Sequence, residues 1–247
     1  MELKTTNEFY VKLISITQPL IKMEDKSPTP EDFLVYLARV SNPSGQEKLE
    51  TAPKLLNYLI KNQHWSPFEM VDFTVEIETS RAVARQILRH WSFAFQEFSQ
   101  RYAKVQDNIT YKARRQDNKN RQNSVDDLPK DIQAWFEDAQ EQVWTLSNSL
   151  YEEALEKGIA KEQARFMLPE NAKTKLYMKG DLRSWIFYLK LRSSNGTQKE
   201  HSDIANAIIN EIFVKFFPNI SKALGWLTTD ANAVTVNSEV PTTLKDL

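Results

Sequence analysis

Residues 89–101 read Arg89-His90-Trp91-Ser92-Phe93-Ala94-Phe95-Gln96-Glu97-Phe98-Ser99-Gln100-Arg101. Side chains that handle anions and protons therefore stand within a frame of apolar and aromatic residues. Immediately upstream, the spacing predicts a helix over 80–91, because Val83, Ile87 and Trp91 recur at every fourth position and form an apolar stripe. The other face of this predicted helix carries the polar residues Gln86, Arg89 and His90.

An extended segment is predicted directly after this helix. Glu97, Ser99 and Arg101 alternate with Phe98 and Gln100, and alternation in an extended chain aims the first three side chains to one side. A helix end followed by such a segment can bind a phosphate and still present a carboxylate. The residue types alone leave an alternative open, because arginine and glutamate beside aromatic residues also form purely structural ion pairs.

The composition is typical of one large globular domain or two small ones. The chain has 247 residues with a 41% hydrophobic content, which is enough to build a substantial core. A net charge of -1 gives no global basic field to attract nucleic acid, and no apolar run is long enough to span a bilayer. Residues 1–6 lack the apolar core of a signal peptide, so a cytoplasmic protein is expected.

Two residue types narrow the chemistry by their scarcity. The sequence has no cysteine, which excludes disulfides, thiolate metal sites and a thiolate nucleophile. It has five glycines and no glycine-rich phosphate loop, so a Rossmann fold or a P-loop is untenable. A serine hydrolase built on Ser99 and His90 would lack both a nucleophile elbow and an evident oxyanion loop.

The periodicity predicts an α+β fold, a single domain over 1–227 in which several long helices accompany an antiparallel sheet. Strands are predicted over 9–16 and 71–78, and helices over 31–39, 49–62, 132–157, 182–192 and 203–217. Asp181 and Ser202 are the predicted N-caps of the last two helices. The irregular order of strands and helices favours an antiparallel sheet over a regular parallel repeat.

Residues 106–130 differ in composition, since basic side chains stand among many asparagine and glutamine residues. The basic residues are Lys112, Arg114, Arg115, Lys119 and Arg121. The segment is interpreted as a basic surface insertion. A nucleic-acid arm is the alternative, but Tyr111 is the only aromatic residue of the segment, so it lacks the aromatic ladder of such arms. Residues 228–247 are expected to form a loosely ordered tail.

Five short motifs occur in the order found in one enzyme family. The central motif, Arg89-His90 followed after eight residues by Ser99-x-Arg101, resembles the signature of the flavin-dependent thymidylate synthases, which is Arg-His-Arg, seven residues, Ser-x-Arg. The other similar segments are Ala38-Arg39-Val40-Ser41, His64-Trp65-Ser66-Pro67-Phe68-Glu69, Glu162-Gln163-Ala164-Arg165-Phe166-Met167-Leu168-Pro169, and Asp181-Leu182-Arg183-Ser184 with Leu191-Arg192. The resemblance thus extends roughly from 38 to 192.

This resemblance implies the reductive methylation of dUMP to dTMP. Methylenetetrahydrofolate would donate the carbon, and FAD would carry the hydride and be recharged by NADPH. Enzymes of this family assemble as homotetramers in which each active site draws residues from more than one subunit. The lack of cysteine agrees with this chemistry, because the better-known thymidylate synthases attack the uracil ring with a cysteine.

The resemblance also implies a set of site residues. Arg192 is the expected catalytic group, since a fixed guanidinium polarises the uracil ring as negative charge develops. Arg101 and Arg165 suit a forked clamp on the 5′-phosphate, and Ser99 is interpreted as a nucleotide ligand. The implied dUMP-binding residues are Gln86, Arg89, Glu97, Ser99, Gln100, Arg101, Arg165 and Arg192, and the implied FAD-binding residues are Ser66, Arg89, His90, Trp91, Glu97, Asp181, Arg183 and Phe187, with His64 and Glu69 nearby.

Three positions depart from the family pattern. Trp91 stands where a third basic residue is usual, Asp181 replaces a usual asparagine, and Phe187 lies where the family commonly has an asparagine beside the cofactor. These departures keep a second class of function open, a nucleotide- or RNA-binding module that has lost the redox chemistry. Trp91 is expected to be a core residue, with stacking on the flavin as the alternative. His201 has no motif around it and is interpreted as structural.

Overall fold

The fold is built on a four-stranded antiparallel sheet. The protein is described by a computed structural model, and the description covers residues 9–23 and 27–227. The strands are β1 (Tyr10–Ile16), β2 (Asp72–Ser80), β3 (Ala94–Glu97), β4 (Arg115–Gln116), β5 (Ser124–Val125) and β6 (Lys173–Asp181). The main sheet has the order β1-β2-β6-β3, and β4 pairs with β5 in a small hairpin. The predicted antiparallel α+β architecture is therefore confirmed.

Helices of very different lengths accompany the sheet. Their bounds are α1 (Pro30–Ala38), α2 (Ala52–Lys61), α3 (Arg81–Ile87), α4 (Lys130–Glu156), α5 (Lys161–Ala164), α6 (Leu182–Arg192), α7 (Lys199–Ile208), α8 (Val214–Phe216) and α9 (Pro218–Ala223), with 3-10 turns at Pro43–Gly45, Leu49–Thr51, Ser66–Met70 and Arg165–Met167 and a π-helical segment at Ile209–Phe213. Within 9–23 and 27–227, the structure contains no helix both long enough and apolar enough to cross a membrane.

The two faces of the sheet differ in character. Phe73, Val75 and Ile77 of β2 are fully buried on the apolar face, as alternation in a half-buried strand requires. On the opposite face, Lys175 of β6 lies 2.9 Å from Glu78. An antiparallel sheet with one polar face buries its other face against helices, and these helices carry the site described below.

A stacked aromatic pair joins this sheet to α6. Phe73 and Trp185 stack with ring centroids 4.6 Å apart, and the Trp185 indole donates a hydrogen bond to the Phe73 carbonyl over 3.3 Å. Gly180 of β6 allows Phe93 to lie against the strand, since a Cβ at 180 would lie 2.5 Å from the Phe93 ring. The orientation of α6 is thereby set by close packing.

The helix predicted over 80–91 is wrong at its end. Ser80 is its N-cap, but α3 ends at Ile87 and the chain then turns, with the His90 amide donating to the Ile87 carbonyl. Trp91 therefore leaves the apolar stripe and is 94% exposed, so the expectation of a core residue is also wrong. The turn is needed because β3 must reverse direction to pair with β6.

Three further local predictions need correction. The extended segment stops at Glu97, and a turn follows in which the Ala103 amide donates to the Ser99 carbonyl, so Ser99 and Arg101 do not continue the alternation. Helix α7 begins at Lys199, so Ser202 is not an N-cap. Strand β6 was absent from the predicted elements, although it lies at the centre of the sheet. Asp181 does cap α6, accepting from the Ser184 amide over 2.7 Å.

The segment 106–130 has structure of its own. Ile109 and Ala113 are buried, and the β4–β5 hairpin follows them. Its basic residues meet carboxylates, as in the pairs Lys112–Asp126 at 2.8 Å and Arg115–Asp127 at 2.6 Å. The segment is therefore not uniformly solvated. Its origin as an insertion stays a prediction, and the predicted tail over 228–247 lies outside the described residues.

Candidate functional site

A histidine and an arginine from distant parts of the sequence meet at the end of α6. Arg192 is the last residue of α6, and its Nε donates a hydrogen bond to Nε2 of His90 over 2.9 Å. His90 accepts at Nε2 and is therefore the neutral tautomer protonated at Nδ1. Burial, together with the charges of Arg192 and Arg89, lowers the pKa of His90 to about 4. Among residues 9–23 and 27–227, this bond to His90 is the only side-chain hydrogen bond of Arg192.

A second polar layer lies behind this pair. The ring of Tyr188 packs edge-on against His90 at a centroid distance of 4.7 Å, and its hydroxyl lies 2.9 Å from Nε2 of His201. His201 is fully buried, and its Nδ1 lies 3.4 Å from Oε1 of Gln86. Burial lowers the pKa of His201 to about 3, aided by Arg192 and His90, and burial raises the pKa of Tyr188. These groups are therefore neutral near pH 7.

The neutral histidines predict an acid-sensitive fold. Because the pKa of His201 falls from 6.5 in the unfolded chain to about 3 in the folded protein, the unfolded state binds more protons below pH 6.5. The free energy of unfolding should therefore decrease as the pH falls through this window, by on the order of 2 kcal/mol from His201 at about pH 5. Urea unfolding at about pH 7 and about pH 5 measures this loss of unfolding free energy. His201→Phe should lose less, and an equal loss in both proteins would contradict the assignment.

Charged and aromatic side chains cluster near the start of α6. Arg183 forms an ion pair with Glu69 of the Ser66–Met70 turn, and its guanidinium lies 5.8 Å from the centre of the Phe187 ring. Phe187 in turn packs against Trp65 at 5.0 Å. The remaining members of the predicted flavin set near this cluster are Ser66 and His64, which are exposed, and Asp181, which caps α6.

Glu97 has partners within its own chain. Its Oε1 accepts from Arg81 over 2.6 Å and from Thr174 over 3.0 Å, and the Arg81–Glu97 pair is largely screened from water. This geometry is that of the structural ion pair which the sequence left open. The ligand role of Glu97 stays a prediction, since a carboxylate has further lone pairs to offer.

The two arginines of the predicted phosphate clamp converge on one residue. Arg101 binds the carboxylate of Glu162, with Nε at 3.1 Å and a terminal nitrogen at 3.0 Å, and Arg165 Nε donates to the Glu162 carbonyl over 3.2 Å. The Arg101–Glu162 pair is about half exposed, and such pairs exchange partners at little cost. The role of Arg101 and Arg165 as a phosphate clamp stays a prediction. Ser99 is partly buried beside this pair, and Gln100 is buried.

The predicted nucleotide residues therefore form two groups. One contains Gln86, Arg89 and Arg192 around His90, and the other contains Ser99, Gln100, Arg101 and Arg165. In the part of the chain that the structure describes, no hydrogen bond or ion pair joins one group to the other. We call these two groups the half-sites, and Glu97, which contacts Arg81 and Thr174, belongs to neither.

Comparisons with known proteins identify the family. Residues 22–219 match the family model described as "Thymidylate synthase complementing protein". A protein of Paramecium bursaria Chlorella virus 1, described as a "Probable flavin-dependent thymidylate synthase", is 53% identical over 217 residues, which is 87% of this chain and 99% of that protein. This chain belongs to the flavin-dependent thymidylate synthase family. The resemblance inferred from the five motifs is thereby confirmed.

Other members of the family and one solved structure agree. The flavin-dependent thymidylate synthase of Synechocystis sp. is 53% identical over 216 residues, covering 87% of this chain and 99% of that protein. The fold is similar to the crystal structure of a UMP/dUMP methylase, PolB from Streptomyces cacaoi, bound with 5-Br dUMP. The TM-score is 0.74 at 21% identity, covering 91% of this chain and 97% of the other. At that identity the comparison speaks for the fold alone.

Several side chains of this family member's site carry no signal in the sequence. Tyr188 and His201 lie outside the motifs, and their partnership depends on the packing of α6 against α7. Glu162 belongs to a motif, but its contact with Arg101 joins residues 61 positions apart. Arg81, the partner of Glu97, stands at the first position of α3. No local sequence pattern predicts these contacts, because each one joins residues from different elements of the fold.

Proposed function

We propose that this chain catalyses the reductive methylation of dUMP to dTMP, with methylenetetrahydrofolate as carbon donor and FAD, recharged by NADPH, as hydride carrier. Membership of the family supports the reaction. The observation that carries the proposal is the Arg192–His90 hydrogen bond, because it holds a guanidinium in place through a neutral acceptor. The sequence has no cysteine, so the uracil ring must be activated by charge instead of by a thiolate.

Arg192 suits this activation for a physical reason. Negative charge develops on the uracil ring as carbon 5 becomes nucleophilic, and a preorganised cation stabilises it with little reorganisation. The Nε of Arg192 is held by His90, so the planar terminal fork has one defined orientation. A protonated His90 could not accept this bond, and its pKa of about 4 keeps it neutral under ordinary conditions.

The donor set fits FAD in chemical type. Trp91 is 94% exposed and offers an aromatic surface, and Arg89 and Arg183 are exposed cations suited to phosphate groups. Phe187 replaces a hydrogen-bonding residue, so any contact it makes with the cofactor is apolar or stacking. When bound, FAD would supply the hydride, which no protein side chain can provide. The protein residues would bind it and exclude water.

We also propose a homotetramer with shared active sites. The two half-sites contain complementary parts of one nucleotide site, a ring-activating group and a phosphate clamp, and a second subunit can supply the missing half. Helix α4 presents a stripe of exposed apolar side chains, and such patches favour burial between subunits. They are Ile132, Trp135, Val143, Leu146 and Leu150. We place the protein in the cytoplasm and expect no nucleic-acid partner.

Flavin reconstitution tests the redox part of this proposal. Protein mixed with FAD and passed over a desalting column should remain yellow and quench the flavin fluorescence. The reason is that exposed aromatic and guanidinium groups suited to the cofactor lie at two places, Arg89 with Trp91 and Arg183 with Phe187. It should then form dTMP from dUMP when methylenetetrahydrofolate and NADPH are added. A cysteine-free protein of similar size that binds no flavin, carried through the same column, is the control. Colourless protein after desalting would contradict the assignment of FAD.

A further inference from the structure

A line of hydrogen bonds runs from the core to one predicted nucleotide ligand. The Tyr188 hydroxyl lies 2.9 Å from His201 Nε2, and His201 Nδ1 lies 3.4 Å from Gln86 Oε1. An amide oxygen only accepts, so His201 must donate from Nδ1. A neutral imidazole that donates from Nδ1 must accept at Nε2, and Tyr188 is therefore the donor there. These directions follow from the orientation of the Gln86 amide, which its contacts on the other side set.

The line continues through Gln86 toward the protein surface. Gln86 Nε2 donates to Gln198 Oε1, and Gln198 Nε2 donates to Glu200 Oε2 over 2.8 Å. Arg114 donates to the other oxygen of Glu200. Glu200 and Arg114 line a cavity of about 410 Å³ between the β4–β5 hairpin, α4 and the start of α7. The amide of Gln86 is thus held at both its oxygen and its nitrogen.

His201 holds the amide of Gln86 at its oxygen, while the direction of the line is set at its other end by the Glu200 carboxylate, which only accepts. Gln198 must turn its Nε2 to Glu200 and its Oε1 to Gln86, so Oε1 of Gln86 is left to face His201. The imidazole of His201 is buried and meets this oxygen by donating from Nδ1, and the Tyr188 hydroxyl then satisfies its Nε2. Nε2 of Gln86 carries two N–H groups, and one of them donates to Gln198.

We propose that His201 is a positioning residue for nucleotide binding, because it orients the Gln86 amide so that the remaining N–H of Gln86 faces an acceptor oxygen of dUMP. This inference rests on the proposed function, in which Gln86 contacts the nucleotide. Tyr188 supports the role by donating to Nε2 of the buried His201 ring while Nδ1 donates to Gln86. The alternative is that His201 only fills space between α6, α7 and α3, and the two roles differ in their coupling to Gln86.

A double-mutant cycle on the FAD-loaded enzyme separates the two roles. The dissociation constant of dUMP is measured by calorimetry for His201→Phe, Gln86→Ala and the double variant. Each single change should weaken dUMP binding about tenfold, which is the effect of one misdirected or lost hydrogen bond. The double variant should be no weaker than Gln86→Ala alone, because His201 acts only through Gln86. Additive losses would overturn the inference.

Further variants keep the test independent of stability. His201→Asn retains a donor near the Nδ1 position and should recover part of the dUMP affinity that His201→Phe loses. Tyr188→Phe keeps the ring packed on His90 but removes the hydroxyl, and it should weaken dUMP binding a few-fold even if His201→Phe fails to fold. Ile204→Val, a buried change on the same helix, should leave the affinity unchanged. FAD affinity should stay constant in all of them.

The outcomes distinguish this inference from the proposed function. Wild-type enzyme that binds no dUMP would contradict the proposed function, and the inference with it. Wild-type enzyme that binds dUMP, combined with normal affinity in both His201→Phe and Tyr188→Phe, would overturn the inference alone. Parallel losses of dUMP and FAD affinity in His201→Phe would also overturn it, since they indicate a general packing role.

Discussion

Arg192→Ala is expected to lower the rate of thymidylate formation by about a hundredfold to a thousandfold at saturating dUMP. Losing one preorganised charge at the reacting centre raises the activation free energy by about 3–4 kcal/mol, by analogy with the loss of an oxyanion donor. The fold should persist, because α6 is anchored by Trp185 and its other buried residues, and their packing does not depend on Arg192. The measurement is dTMP formation with FAD, methylenetetrahydrofolate and NADPH in excess.

Two further variants test whether the activity depends on the guanidinium of Arg192. Arg192→Lys keeps a positive charge but has no Nε to donate to His90 and no planar fork, so most of the activity should still be lost. Ser99→Ala should lose less, because water can partly replace a positioning hydroxyl, whereas nothing replaces a nucleophile. An inactive Ser99→Ala together with a nearly normal Arg192→Ala would reverse the roles that we assign.

Arg165→Ala is expected to weaken dUMP binding by about thirtyfold, or about 2 kcal/mol, while FAD binding changes little. Arg101 contacts the carboxylate of Glu162 and Arg165 its main-chain carbonyl, and in the proposed clamp on the 5′-phosphate truncation of Arg165 removes one arm. Truncating one partner of a desolvated charged pair weakens binding by about 2–5 kcal/mol. We expect the lower end of this range, because the Arg101–Glu162 pair is about half exposed and water screens it.

The chain offers a close control for this effect. Arg85 also forms an exposed ion pair, with Glu170 at 2.6 Å, and lies outside both half-sites. Arg85→Ala should therefore leave the dUMP dissociation constant nearly unchanged in the same calorimetric titration. Equal losses for dUMP and FAD in Arg165→Ala, or equal losses in the Arg85 and Arg165 variants, would remove Arg165 from the clamp.

Helices with strong local signals could be predicted from the sequence. The helix expected over 182–192 is α6 itself, because Asp181 caps it and its apolar residues recur at helical spacing. The long helix predicted over 132–157 is found as Lys130–Glu156, because its apolar residues also recur at helical spacing. The residue types of the site were also readable, since the absence of cysteine and the order of the motifs point to charge-based activation of the ring.

Strand pairing and chain reversals depend on contacts between distant segments, so they required the tertiary structure. Strand β6 pairs with β2 across about a hundred residues of sequence, as in the Phe73–Gly180 register, and its alternation with lysines offers only a weak local signal. Trp91 has the apolar character of a core residue, yet the reversal of the chain into β3 leaves it in solvent. Pairing partners and chain reversals of this kind depend on contacts that no local window contains.

The sequence by itself determined the family, the fold class and the chemical types of the site residues, because motifs, caps and periodicity are properties of neighbouring residues. Only the tertiary structure decided how these groups act. It placed His90 against Arg192, so that burial and a neighbouring cation hold the histidine neutral, and it connected Tyr188 and His201 to Gln86. A protonation state and a hydrogen-bond direction depend on desolvation and on partners brought together from distant elements, and folding alone supplies both.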